Sequence, residues 1–317
     1  MSRAPDPSSV RFPGPWTHRE VWANGISLHV AEAGQGPLVV LLHGFAQCWW
    51  VWRDQLTFLA GAGYRVVAAD LRGYGDSDKP PRGYDAWTLA GDVAGLVRAL
   101  GGRRAHLVGQ GWGGAIAWTA ATLHPRVVAS VSVFGTCHPL ALRSALRRSL
   151  VNERQRRATG HVYRFQLPIV AERALLADDA GQVERYLSAW SAPRWRTTPE
   201  FAKTAATLRD AVRIPGVAHC SLEYYRWAFR SLFRGDGRRF ARAMQPPCPA
   251  PVMQVHGAED GCVLLDTARA SAYWAGPGSR FEVLPGVGHY PQLEDPNRTA
   301  LLLRDWLDAH RTPNTTS

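Results

Sequence analysis

Apolar and polar residues first alternate along Thr17 to Ala23 and, after an Asn24-Gly25 turn, along Ile26 to Ala33, a pattern that predicts a β-hairpin. The continuous apolar run Leu38 to Leu42 then predicts a strand buried on both faces. Beyond it the period switches between strand and helix. Arg65 to Ala69 reads as a strand, and Thr88 to Leu100 as a helix with Leu89, Val93, Leu96, Val97 and Leu100 on one face. His106 to Val108 is the next strand, residues 112 to 124 the next helix, and Val127 to Phe134 a further strand. Such alternation implies an α/β protein whose mostly parallel, eight-stranded sheet carries helices on both faces. From residue 138 the pattern becomes Arg-rich, Trp- and Tyr-bearing and helical, and the β/α alternation resumes at Val252 to His256. A helix near Thr267 to Ala275, a strand at Phe281 to Leu284 and a helix from Asn297 to about His310, started by Pro296, close the chain. The chain thus divides into a core segment 1–137, an inserted helical cap 138–240 and a second core segment 241–317.

With 317 residues, 46% of them hydrophobic, the chain can bury a large core. Its five cysteines, Cys48, Cys137, Cys220, Cys248 and Cys262, have neither disulfide-framework nor metal-ligand spacing, which points to a reducing, cytoplasmic setting. Pro5, Asp6, Pro7, Pro13 and Pro15 interrupt the first fifteen residues, so no signal peptide is expected, and no later run is long enough to span a bilayer. The formal charge of +11 is concentrated in residues 138 to 240, which hold 19 Lys and Arg against 9 Asp and Glu. No nucleic-acid motif accompanies this charge, so it reads as a solvated face of the cap, suited at most to peripheral contact with acidic surfaces. Gly109-Gln110-Gly111-Trp112-Gly113-Gly114 lacks the dinucleotide-binding spacing, and no cofactor or metal is implied.

Ligands of open α/β sheets bind beyond the carboxyl ends of the strands, so the residues just after each strand carry the functional information. Here these are His43-Gly44-Phe45, Gly109 to Gly114, Gly257-Ala258-Glu259-Asp260 and Gly288-His289. Together they resemble the α/β-hydrolase superfamily. The resemblance is greatest to its epoxide hydrolase branch and the related haloalkane dehalogenases, through Trp52-Arg53, Asp70 to Gly75 with Ser77-Asp78, and Trp112-Gly113-Gly114. In the cap, Phe165-Gln166-Leu167-Pro168 and Tyr224-Tyr225-Arg226-Trp227 are similar to epoxide hydrolase segments.

The resemblance implies His289 as the catalytic histidine and Asp260 as the acid that orients it, with Glu259 as the alternative acid. It implies an oxyanion hole from the backbone N–H groups of Phe45 and Trp112. It also implies Tyr225, with Tyr163 as a weaker partner, as proton donors from the cap, and His43, Gln110 and Trp49 as pocket residues. The sequence departs from the family in three places. Gly111 stands at the position of the nucleophilic Asp, Gln110 where His is usual, and Ala46 where Pro is usual. Glycine has no side chain, so the family's alkyl-enzyme ester cannot form at residue 111, while the strain of that sharp bend is relieved. Cys137, just after a strand at the same sheet edge, has the chemistry of a nucleophile but reads as a small buried residue instead. Two functions follow. One is a hydrolase of a small lipophilic epoxide, lactone or ester in which His289 and Asp260 act as a general base without a covalent intermediate. The other is an inactive homologue that binds a ligand or regulates a partner.

Overall fold

The structure, a computed structural model, describes residues 3–148 and 153–311. Its centre is one eight-stranded sheet: β1 (Thr17–Ala23), β2 (Ile26–Ala33), β3 (Leu38–Leu42), β4 (Arg65–Ala69), β5 (Ala105–Gln110), β6 (Val128–Phe134), β7 (Val252–Gly257) and β8 (Arg280–Leu284). The order is β1-β2-β4-β3-β5-β6-β7-β8. The β1–β2 pair and the β2–β4 pair are antiparallel, and every later pair is parallel. Asn24 and Gly25 both take positive φ, 50° and 79°, as the tight turn of the β1–β2 hairpin requires. All residues of β3, β5, β6 and β7 are buried, which is why these strands lack polar alternation.

Helices α1 (Arg53–Gly61), α2 (Ala86–Ala99) and α3 (Trp112–Leu123) cover the sheet in the first half of the chain. Asp85 caps α2 by accepting from the N–H groups of Trp87 and Thr88. The inserted segment holds α4 (Pro139–Arg148), α5 (Glu153–Arg164), α6 (Val170–Trp190), α7 (Pro193–Arg196), α8 (Pro199–Arg213), α9 (Val217–Arg230) and α10 (Gly235–Ala243). The closing helices are α11 (Leu265–Arg269), α12 (Pro291–Glu294) and α13 (Pro296–Ala309).

The Asp70 to Asp78 motif is an internal brace. Asp70, fully buried, accepts from the Trp49 N–H at 2.8 Å and pairs with His29 at 2.7 Å, which ties the loop after β4 to the loop after β3. Arg72 makes two 2.6 Å bonds to Asp92 of α2, and its carbonyl accepts from the Tyr224 hydroxyl of the cap at 2.7 Å. The motif therefore sets where the cap sits over the strand ends. Among the described residues no helix is long and apolar enough to cross a membrane.

Candidate active site

Five strand ends and the cap converge on one cavity lined by Phe45, Gln110, Gly111, Trp112, His161, Trp190, Tyr225, Cys262, His289 and Tyr290 among others. Its wall is mainly apolar, and the polar groups are few.

The turn between β5 and α3 is sharp. Gly111 occupies it with φ 53° and ψ −117°, a backbone setting that costs most side-chain-bearing residues energy. A Cβ at this position would have room, lying 3.7 Å from Gly44 Cα and 3.7 Å from His289 Nε2. The bend therefore aims residue 111 at the imidazole, although residue 111 contributes no functional group.

Facing it, His289 follows β8 and is buried. Its Nδ1 lies 2.9 Å from Asp260 Oδ2, and the two side chains are 6% and 1% exposed. Asp260 Oδ1 accepts from the N–H groups of Cys262 and Val263 at 2.7 and 2.8 Å, so the carboxylate is held by the turn that carries it. Glu259 is exposed and points to solvent, which makes Asp260 the partner of His289. Burial opposes charge on His289, yet the Asp260 carboxylate and the neighbouring Cys262 hold its imidazole well above the ordinary histidine range. Gly135, at the end of β6, makes room for this ring: a Cβ there would come within 2.2 Å of the His289 carbonyl oxygen and 3.1 Å of Nδ1.

The backbone N–H groups of Phe45 and Trp112 have no hydrogen-bond partner among the described residues, and both residues line the cavity. Ala46 has φ 57°, which proline cannot adopt, so the loop after β3 differs in conformation from one with proline there. In this conformation Gln47 turns inward. Its Oε1 accepts from the Gly44 N–H at 2.9 Å, and its Nε2 donates to Gln110 Oε1 at 3.1 Å. Gln110 Nε2 in turn donates to the His289 carbonyl at 3.0 Å. Two amide side chains thus connect the loop after β3 to the histidine.

The other expected residues divide. Tyr225 on α9 lies in the cavity wall, edge-on to Trp112 at 5.2 Å and to Phe45 at 5.1 Å. Burial raises its phenol far above the ordinary tyrosine range, which keeps it protonated. Tyr163 is a correction: its hydroxyl donates to the Leu146 carbonyl at 3.2 Å and its ring packs on Phe229, outside the cavity lining. One half-turn earlier on α5, His161 takes the inward position, against Trp190 and Tyr225 at 5.0 and 5.5 Å. Burial pushes the His161 imidazole down to about 3, so it is neutral. His43 and Trp49 are further corrections. His43 is buried beneath the loop and accepts from the Leu71 N–H at 3.1 Å. The Trp49 indole donates to the Val10 carbonyl at 2.7 Å and packs on Trp16 and His18. Neither reaches the cavity, because the polar end of each is satisfied inside the core.

Several contributors escape sequence reasoning. Glu294 accepts from the N–H groups of Gly288 and Tyr290 on either side of His289, at 2.8 and 3.0 Å, and from Ala192 of the cap at 2.9 Å. Gln47, His161 and Cys262 also belong to the site, and no spacing in the chain singles them out. Among the described residues, no group of three or more His, Cys, Asp or Glu is arranged to hold a metal ion.

Comparison with known proteins agrees with this fold. A family model described as "alpha/beta hydrolase fold" covers residues 37–296. The chain is 34% identical to the AB hydrolase superfamily protein YfhM of Bacillus subtilis, over 64% of this chain and 70% of that protein. It is 31% identical to epoxide hydrolase A of Mycobacterium tuberculosis, over 92% of this chain and 97% of that protein. Among solved structures, an epoxide hydrolase from an endophytic Streptomyces superposes with a TM-score of 0.77 at 29% identity, over 94% of this chain and 96% of that one.

Proposed function

Because the chain belongs to the α/β-hydrolase fold family, in its epoxide hydrolase branch, we propose that it hydrolyses a small lipophilic epoxide, lactone or ester without a carboxylate nucleophile at residue 111. The observation that carries this reading is the position of His289, with Nδ1 on Asp260 at 2.9 Å and Nε2 only 3.7 Å from where a Cβ of residue 111 would lie. The space a side chain would fill at Gly111 suits a water molecule. His289 Nε2 takes a proton from that water as it attacks the electrophilic carbon, and Asp260 stabilises the resulting imidazolium. For an acyl substrate, the developing oxyanion accepts from the Phe45 and Trp112 N–H groups. For an epoxide, the protonated Tyr225 phenol stands on the cap side to supply the proton that the opening oxygen needs. The apolar lining, including Trp190 and Phe45, supports a lipophilic substrate.

The test is a panel of styrene-type and aliphatic epoxides, lactones and activated esters, followed by mass spectrometry in native protein and in His289→Ala. Turnover that depends on His289, with solvent ¹⁸O entering the product in the first turnover, supports the reading. Turnover that is indifferent to His289 rules it out.

A further inference from the structure

On the outer side of the cap, the turn between α5 and α6 shows three large apolar side chains to solvent: Leu167, Ile169 and Val170 are 55%, 62% and 60% exposed. The turn is strained. Ile169 has φ 67° and ψ −47°, and the Val170 N–H closes on the Pro168 carbonyl at 2.7 Å, which is the rarer, positive-φ form of γ-turn. Among the described residues, Ile169 is the β-branched member of the non-glycine residues with positive φ, and a side chain of that shape makes such a backbone costly. A chain that needed only a reversal here would carry glycine. Nor is the turn loose. Arg226 of α9 donates to the Phe165 carbonyl at 3.1 Å and to the Leu167 carbonyl at 3.4 Å while it pairs with Glu172 at 2.7 Å. Ring contacts of 5.7 Å from Tyr163 to Phe229 and of 5.7 Å from Phe229 to Phe233 continue the apolar edge to the residues after α9, where Phe233 is 73% exposed. The charge around this edge is one-sided. Glu172 and Glu223 are taken up by Arg226, Arg230 and His219, whereas Arg164 and Arg173, exposed before and after the turn, pair with no carboxylate among the described residues.

We propose that this turn docks the protein on the surface of an anionic phospholipid bilayer. Leu167, Ile169 and Val170 enter the boundary between headgroups and acyl chains, and Arg164 and Arg173 meet the lipid phosphates. Charge complementarity selects the anionic surface, since the unpaired charges beside the turn are both positive. The small extent of the apolar tip selects a bilayer over an acidic protein. A stable protein partner needs a complementary face of about 800 Å² on each side, whereas three aliphatic side chains need only a layer soft enough to admit them. The strain then has a use: it holds Ile169 outward before the membrane is met, so that little ordering cost falls on binding. The same helices turn other faces inward, where His161 and Val162 of α5 and Tyr225 of α9 line the cavity. Docking therefore brings the cap wall of the cavity close to the phase in which a lipophilic substrate concentrates. The docking itself does not depend on which reaction the cavity performs.

The test is flotation of the full-length protein with vesicles of phosphatidylcholine alone and with vesicles of equal parts phosphatidylcholine and phosphatidylglycerol, at low and at high salt. The expected result is capture by the anionic vesicles that salt weakens, with little capture by phosphatidylcholine alone. Arg164→Gln combined with Arg173→Gln should lower the affinity by roughly twentyfold, about fivefold for each charge, at an unchanged thermal midpoint because neither side chain has an ion pair to lose. Ile169→Gly removes the apolar side chain and the strain together, so vesicle affinity falls by roughly tenfold while the thermal midpoint holds or rises. Leu167→Gln, an exposed change with no strain to release, should also weaken capture at an unchanged midpoint, which separates docking from folding. No capture by the anionic vesicles overturns the proposal. Capture that Ile169→Gly and Leu167→Gln both leave unchanged also overturns it, because charge alone then accounts for the binding. Retention on immobilised polyglutamate as tight as on the anionic vesicles, with the same dependence on Ile169, overturns it in favour of an acidic protein partner.

Discussion

Two of the strand ends that meet in this cavity contribute to it in opposite ways. At the end of β5 a sharp backbone bend at Gly111 is aimed at His289 but carries no functional group. At the end of β8 the functional group is present with its full support, Asp260 on its ring, Gln110 on its carbonyl and Glu294 on the N–H groups of the residues either side. A bend is written in φ and ψ and survives the loss of a side chain, whereas an oriented imidazole needs every partner in place. A binding protein would have no chemical use for the second, and the contrast between the two ends is what favours catalysis.

The largest effect expected from breaking this contrast is at the retained end. His289→Ala removes the base and should lower kcat by about 10²–10⁴-fold, measured on whichever substrate the panel identifies. Asp260→Asn should follow. His289 is held well above the ordinary histidine range, and the base must be unprotonated, so activity is lost as pH falls through that raised value. Without the carboxylate charge the value drops, so the acid limb of the pH–rate profile moves to lower pH while the maximal rate falls. An unmoved limb would mean that another group sets it.

At the altered end, Gly111→Asp places a side chain where φ is 53° and should cost about 1–3 kcal/mol of stability, read as a lower denaturant midpoint at unchanged slope. The same variant sharpens the comparison chemically, since a carboxylate there has room beside His289 Nε2. The smallest effect belongs to the cap. Tyr163→Phe should leave turnover unchanged and cost about 0.5–1.5 kcal/mol, the value of one hydroxyl bond to the Leu146 carbonyl, whereas Tyr225→Phe should slow epoxide opening if that is a substrate.

The same division explains what could be read from the chain. Strand ends in an α/β sheet are marked by apolar runs that stop at glycine, so the loops bearing His289, Asp260 and Gly111 were legible, as was the hairpin at Asn24-Gly25. The choice of Asp260 over Glu259 was not, because neighbouring acids differ only in which way the turn after β7 presents them. The cap was harder still. On a helix with one face inward, an offset of two residues decides between wall and exterior, and His161, Tyr163 and Arg164 fall within a single turn of α5 without a periodic cue. His43 and Trp49 misled for a different reason: adjacency to a motif in sequence does not carry a side chain into the cavity when its hydrogen bond lies in the core.

The positive φ at Ala46 has a consequence for substitutions across the site. It lets Gln47 fold back to grip Gln110, and Gln110 grips His289. Proline at position 46 could not keep this backbone and would evict Gln47 and slacken the histidine, so a carboxylate placed at 111 would stand in a site whose other parts are set around glycine. Positions 46, 110 and 111 are therefore coupled: each is easy to change alone on paper, and none is easy to change alone in the folded protein.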